Sequence, residues 1–131
     1  MSHDAALILI GLSVFQLKHF FCDFVLQTRY QFKNKGYYGH PGGLLHAGLH
    51  GIFSIPALLV FTHRPMTIII LVVGEMIIHY HTDWLKEQID RRNNWTYEHA
   101  PYWFVFGGDQ VVHQFTYLGI VAILTGGLLP L

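Results

Sequence analysis

Four short stretches of this chain, "HFFCD", "HAGLH", "HYHTD" and "DQVVH", carry the residues best suited to chemistry. They supply His19 and Asp23, His46 and His50, His79 and Asp83, and Asp109 and His113. Within each pair the two residues are four apart, so on a helix both project from one face, one turn from each other. Imidazole and carboxylate together form the ligand set of zinc, iron, manganese or nickel, and the lone Cys22 stands outside the paired positions. Eight such groups exceed the four ligands of a single zinc site. The expectation is one or two divalent ions, zinc favoured and iron or manganese as alternatives, with surplus groups orienting the ligands.

These pairs sit in stretches that otherwise suit a lipid environment. Apolar runs extend from about Ala5 to Leu26, Gly43 to Phe61, Met66 to Leu85 and Tyr102 to Leu128, each close to the length that crosses a bilayer core of about 30 Å. The expected fold is all-α, a polytopic membrane protein with four transmembrane helices in an up-down bundle, forming one domain over residues 1–131. The first and third spans carry their pairs at the C-terminal end, the second and fourth at the N-terminal end. In an up-down bundle those ends lie on one side. His19, His50, His79 and His113 then form a deeper layer, and Asp23, His46, Asp83 and Asp109 a layer about 6 Å nearer the surface. Ferritin-like bundles gather carboxylates and histidines from facing helices around two metals in the same way.

Composition supports the membrane class. Hydrophobic residues make up 52% of the chain and charged residues only 12%, about half the share usual in soluble domains. Formal net charge is zero, so no basic surface invites nucleic acid. The opening "MSHDAALILI" reads as the start of a retained helix, because it lacks a basic leader and a small-residue cleavage site. Arg29, Lys33, Lys35, Lys86, Arg91 and Arg92 fall in or beside the two long polar segments, "QTRYQFKNKGYYGHPGG" and "KEQIDRRNNWTYEHAP", read as loops, and only Arg64 falls on the other side. By the positive-inside rule the loops and the metal site face the cytoplasm, and both termini lie outside. Tyr30, Tyr37, Tyr38, Trp95 and Trp103 suit an interface belt.

Other polar residues flank the pairs. Glu75 lies one turn before His79 and is the deepest carboxylate, suited to act as a general base, to ligate or to shuttle protons. Gln110 and Gln114 flank His113 and can hydrogen-bond to ligands. Lys35 and Lys86 lie where a phosphate or lipid headgroup would meet the site, or where they would simply anchor helix ends. His81 is two residues from both His79 and Asp83, so it points away from their face. His3, His40, His63 and His99 fall in loops or at the terminus. The competing structural reading, polar glue between helices, is worth only about 0.6 kcal/mol per contact. The first and third spans also echo one another: "HFFCDFVLQ" against "HYHTDWLKE", which predicts two similar hairpins about a pseudo-twofold axis along the membrane normal.

The order "HFFCDFVLQT", "NKG", "LLHAGLHG", "HYHTDWLK", "DQVVHQ" resembles the small bacterial and phage membrane proteins grouped as domain of unknown function 3307. The resemblance covers nearly the whole chain. It implies an integral protein of the bacterial inner membrane whose motif positions match His19, Asp23, Gln27, Lys35, His46, His50, His79, Asp83, Lys86, Asp109, Gln110 and His113. It implies no activity. A looser likeness, by analogy only, is to membrane-bound metal-dependent hydrolases.

The expected activity is metal-dependent hydrolysis of a lipid or membrane-adjacent phosphoester, in which metal lowers the pKa of a bound water. Glu75 or an unliganded Asp would serve as base, Lys86 and Lys35 would steady the anionic substrate, and Gln27 and Gln110 would bind beside the metal. A di-iron oxidase or hydroxylase would use the same ligands with oxygen, and a metal transporter or sensor would bind exchangeably. A haem protein is the third rival, argued against by the Asp partners. Oligomeric state is left open, a homo-oligomer included.

Overall fold

The computed structural model describes residues 2–126, and all regular structure among them is helical. Helix α1 spans His3–Phe20 and passes without a break into a π turn, Phe21–Val25. A short α2 follows at Arg29–Asn34, then α3 at Pro41–Leu58, α4 at Pro65–Asn93 and α5 at Ala100–Thr125. The four long helices close a ring in the order α1, α3, α4, α5, each packed on two neighbours. Antiparallel packing brings the C-terminal ends of α1 and α4 beside the N-terminal ends of α3 and α5. The paired residues therefore meet.

The helices start where the sequence chemistry allows. Ser2 caps α1 by accepting from the Ala5 amide at 3.2 Å. Pro41 and Pro65 open α3 and α4, where a missing N–H costs nothing. Glycines permit the closest packing: a Cβ on Gly11 would strike the Phe61 ring, and one on Gly51 would strike the Met76 side chain.

Three local expectations need correction. The segment "KEQIDRRN" is not loop but the last two turns of α4, held by Lys86 and Asp90 one turn apart at 3.0 Å and closed by Asn94 in the left-handed conformation (φ 54°). The first polar loop contains α2, fixed by a capping box between Thr28 and Gln31. The pair Gly107 and Gly108, which in the sequence reads as punctuation near a helix opening, lies inside α5. The end of the fourth expected span, residues 127 and 128, lies outside the described residues.

Two segments, His3–Val25 and Pro65–Asn93, are long and apolar enough to cross a membrane. In α3 and α5 the apolar character is diluted by His46 and His50, and by Asp109, Gln110 and His113. The interior is split in two. Toward one end lies an apolar core of Phe15, Ala57, Leu58, Leu71, Tyr117, Ile120, Val121 and Leu124. Toward the other end the buried residues include Lys18, His19, His46, His50, Glu75, His79, Asp83, Asp109 and His113. Large apolar side chains cover the outside instead, among them Leu17, Phe24, Ile52, Ile69, Ile77 and Phe115.

Candidate metal centre

The polar core has two lobes, each built around one aspartate. Asp23 stands in the π turn, where a widened hydrogen-bond ladder (Leu26 N–H to Phe21 O, 2.8 Å) replaces the α pattern. Such turns occur often at functional sites. Asp23 Oδ1 lies 3.0 Å from His50 Nε2 and 3.2 Å from His46 Nε2. Its Oδ2 lies 3.1 Å from His19 Nε2 and 3.4 Å from the Gln110 amide nitrogen. His19 Nε2 also faces Gln110 Oε1 at 2.8 Å, so it carries the proton, and its Nδ1 accepts from the Tyr117 hydroxyl at 2.8 Å. Both nitrogens of His19 are thus engaged.

The Asp83 lobe is built differently. Asp83 Oδ2 lies 3.2 Å from His46 Nε2 and 3.5 Å from His79 Nε2, and Oδ1 lies 3.5 Å from His113 Nε2. Asp109 Oδ1 lies 3.4 Å from the same His113 nitrogen. These contacts are close enough for ion pairing but lack hydrogen-bond geometry. His79 Nε2, Asp83 Oδ2, Asp109 Oδ1 and His113 Nε2 are all buried without a hydrogen-bond partner. One ligand atom from each of Asp23, His46, His50 and His79 falls within 4.8 Å of the others, and so do those of His79, Asp83 and His113. His50, His79 and His113 form a column of stacked rings, with centroids 3.7 and 4.0 Å apart. The donor types and spacing suit a divalent ion, and four of the polar atoms are left without a hydrogen bond.

A cavity of about 210 Å³ opens onto this centre, lined by Asp23, Gln27, Lys35, Lys86, Tyr102 and Gln110 among others. Lys35 reaches Asp83 Oδ2 at 3.5 Å. Its loop is fastened to the end of α4 by hydrogen bonds from Gln88 (2.7 Å) and Arg91 (3.3 Å) to the Gly36 carbonyl, with Arg91 stacked over Tyr37. Burial opposes the Lys35 charge, but the carboxylates of Asp83, Asp23 and Asp109 outweigh it and hold the ammonium pKa above its ordinary value. Lys86 is paired with Glu87 and Asp90, both at 3.0 Å, and lies over the Tyr102 ring. The Gln27 amide nitrogen lies 3.2 Å from His46 Nε2.

The model of a family described as "Protein of unknown function (DUF3307)" matches residues 12–128. The chain belongs to the DUF3307 family. No curated protein and no solved structure matches it.

In this DUF3307 chain the eight paired residues all meet in one place, but not as equals. Asp23, His46, His50, His79, Asp83 and His113 form the two candidate ligand groups. His19 is committed to hydrogen bonds, and Asp109 stands beside His113. Glu75 lies in the same helix stripe yet turns to Lys18, whose ammonium it binds directly. Lys18 also donates to the His50 carbonyl at 3.2 Å and lies 3.4 Å from His50 Nδ1. This lysine is a buried member of the polar core that the pair spacing does not reveal. The available signal was one buried cation and one buried carboxylate at similar depth on different helices, since such charges inside a membrane seek each other. His81 is exposed, bonded to the Ile77 carbonyl at 2.7 Å and to the Tyr38 hydroxyl at 3.2 Å.

Proposed function

We propose that this DUF3307 chain is a four-span membrane protein that holds one or two divalent ions, zinc favoured, and hydrolyses a lipid or membrane-adjacent phosphoester. The observation that carries the metal is the set of four orphaned atoms around Asp83. Leaving a buried polar group unpaired costs about 1–3 kcal/mol, and more when it is charged. A cation held by His79, Asp83 and His113, whose ligand atoms lie within 4.8 Å of one another, would meet that need. The outward apolar faces of α3 and α5, with their polar residues turned inward, support spanning by all four long helices.

His79, Asp83 and His113 would hold the ion, with His46, His50 and Asp23 available for a second. When bound, the metal would lower the pKa of a water and polarise the scissile group. Asp109, whose Oδ2 accepts from the Gln110 amide at 3.2 Å, stands beside this group and would be better placed than the ion-paired Glu75 to take a proton from that water. Lys35 and Lys86, lining the cavity, would steady an anionic headgroup, and Gln27 and Gln110 would hold ligand imidazoles in orientation. The proposed setting is the bacterial inner membrane, with the site toward the cytoplasm and both termini outside. This orientation rests on the distribution of Lys and Arg.

Elemental mass spectrometry and an optical spectrum of protein purified in mild detergent test this reading. One or two equivalents of zinc or manganese, together with release of phosphate from lipid phosphoesters, are expected. Two equivalents of iron with an oxo-bridge band would replace hydrolysis by oxygen chemistry. No metal after reconstitution would leave a hydrogen-bond network and end the proposal.

A further inference from the structure

Lys35 reaches the centre from a loop, whereas the candidate metal ligands come from the π turn and the long helices. Its side chain is buried, with Nζ 3.5 Å from Asp83 Oδ2, and the carboxylates of Asp83, Asp23 and Asp109 all act on its charge. The loop that carries it is fastened to α4 along its length. Gln88 and Arg91 donate to the Gly36 carbonyl, the Gly39 amide donates to the Tyr80 hydroxyl, and the Tyr38 hydroxyl bonds His81. At Gly36 the approach is so close that a Cβ would strike Arg91 and Glu87. Burying an ammonium is costly unless opposite charge surrounds it, so this lysine is held where negative charge is concentrated.

A count of charge shows what the lysine does there. Deeper in the core, Lys18 cancels Glu75. Further out, Lys86 and Arg91 cancel Glu87 and Asp90, the four lining a separate hollow of about 350 Å³. The centre itself keeps the carboxylates of Asp23, Asp83 and Asp109 and the ammonium of Lys35. An imidazole that ligates a metal is neutral, so the histidines add nothing to this count. The excess of negative charge is then what one divalent ion neutralises. A second divalent ion would leave uncompensated positive charge in a buried site, which is strongly unfavourable.

The contacts of Asp83 agree with that count. Its Oδ1 faces His113, and its Oδ2 faces His46, which also touches Asp23. A carboxylate so placed could bridge two ions, one on each oxygen. Lys35 stands at Oδ2, on the side that the second ion would need.

We infer that the Lys35 ammonium stands in for a second metal ion, so that the centre takes one divalent ion, at His79, Asp83 and His113. This rests on the metal reading above and fixes its stoichiometry. A second ion enters only when the lysine is gone or when an anion restores the balance of charge.

The test loads the intact protein in detergent micelles with metal alone, in phosphate-free chloride buffer. Bound ions per chain are counted by elemental mass spectrometry after desalting. Wild type and Lys35→Arg, which keeps the charge, should retain about one zinc ion, whereas Lys35→Met should retain about two. One ion in Lys35→Met, or two in Lys35→Arg, would overturn the inference and leave the metal reading standing. No metal in any of the three proteins would remove both. Manganese loading of the wild type gives a second measurement, which decides the matter even if Lys35→Met does not fold. The paramagnetic resonance spectrum of the frozen protein should show the simple hyperfine pattern of an isolated ion. The denser pattern of two coupled ions would overturn the inference.

Discussion

The two lobes of the polar core use similar residues to different ends. Around Asp23, the carboxylate is met by three imidazoles and the Gln110 amide, and His19 spends both nitrogens on hydrogen bonds. Around Asp83, the distances lengthen to 3.4 or 3.5 Å for most contacts, and four buried atoms are left without partners. A satisfied network rigidifies its surroundings, whereas an unsatisfied one leaves buried polar atoms for which a further partner would be favourable. The comparison teaches that the echo between "HFFCD" and "HYHTD" is a likeness of sequence, not of duty. The Asp23 lobe frames the centre, and the Asp83 lobe is the stronger candidate for its first ion.

Asp83→Ala or His113→Ala should therefore abolish tight metal binding, measured by elemental analysis after gel filtration. Full occupancy in both variants would dissolve the distinction between the lobes. Lys18→Met should come next in effect, destabilising the protein by about 3–5 kcal/mol because it strands the buried Glu75 charge. The double variant Lys18→Met/Glu75→Leu should recover most of that loss in detergent thermal unfolding, and a double variant no better than the single would show that the pair is not the source. Asp23→Ala should weaken metal binding only about 10- to 100-fold, the effect typical of a partner that orients ligands. An equal loss at Asp23 and Asp83 would argue instead for two ions of one rank. His81→Ala, on the outer face, should leave occupancy unchanged; loss of metal there would put the wrong face of α4 in the core.

Much of this was legible in spacing. Pairs four apart on four helices, at matched ends, require only that the helices form and run antiparallel. The partition between ligation and hydrogen bonding was not legible, because it depends on which atoms face which. Nothing in the residue types sets His19 apart from His113; the difference is made by Tyr117 and Gln110, which occupy both nitrogens of His19, whereas His113 Nε2 makes no hydrogen bond. The π turn carried no glycine or proline to announce it. The capping box at Thr28 and Gln31 was present in the sequence and could have revealed α2. The polar tail of α4 resembles a loop in its charge density, although Lys86 and Asp90 are spaced to support a helix.

His46 touches both aspartates through a single nitrogen: Nε2 lies 3.2 Å from Asp23 Oδ1 and 3.2 Å from Asp83 Oδ2. That atom has either one proton to donate or one lone pair to give, so it can serve only one claimant at a time. Whatever draws it to one lobe withdraws it from the other. Two ions would then not load independently, and by thermodynamic reciprocity each would change the affinity of the other by the same factor. One imidazole thus makes the two halves of the centre a negotiated pair.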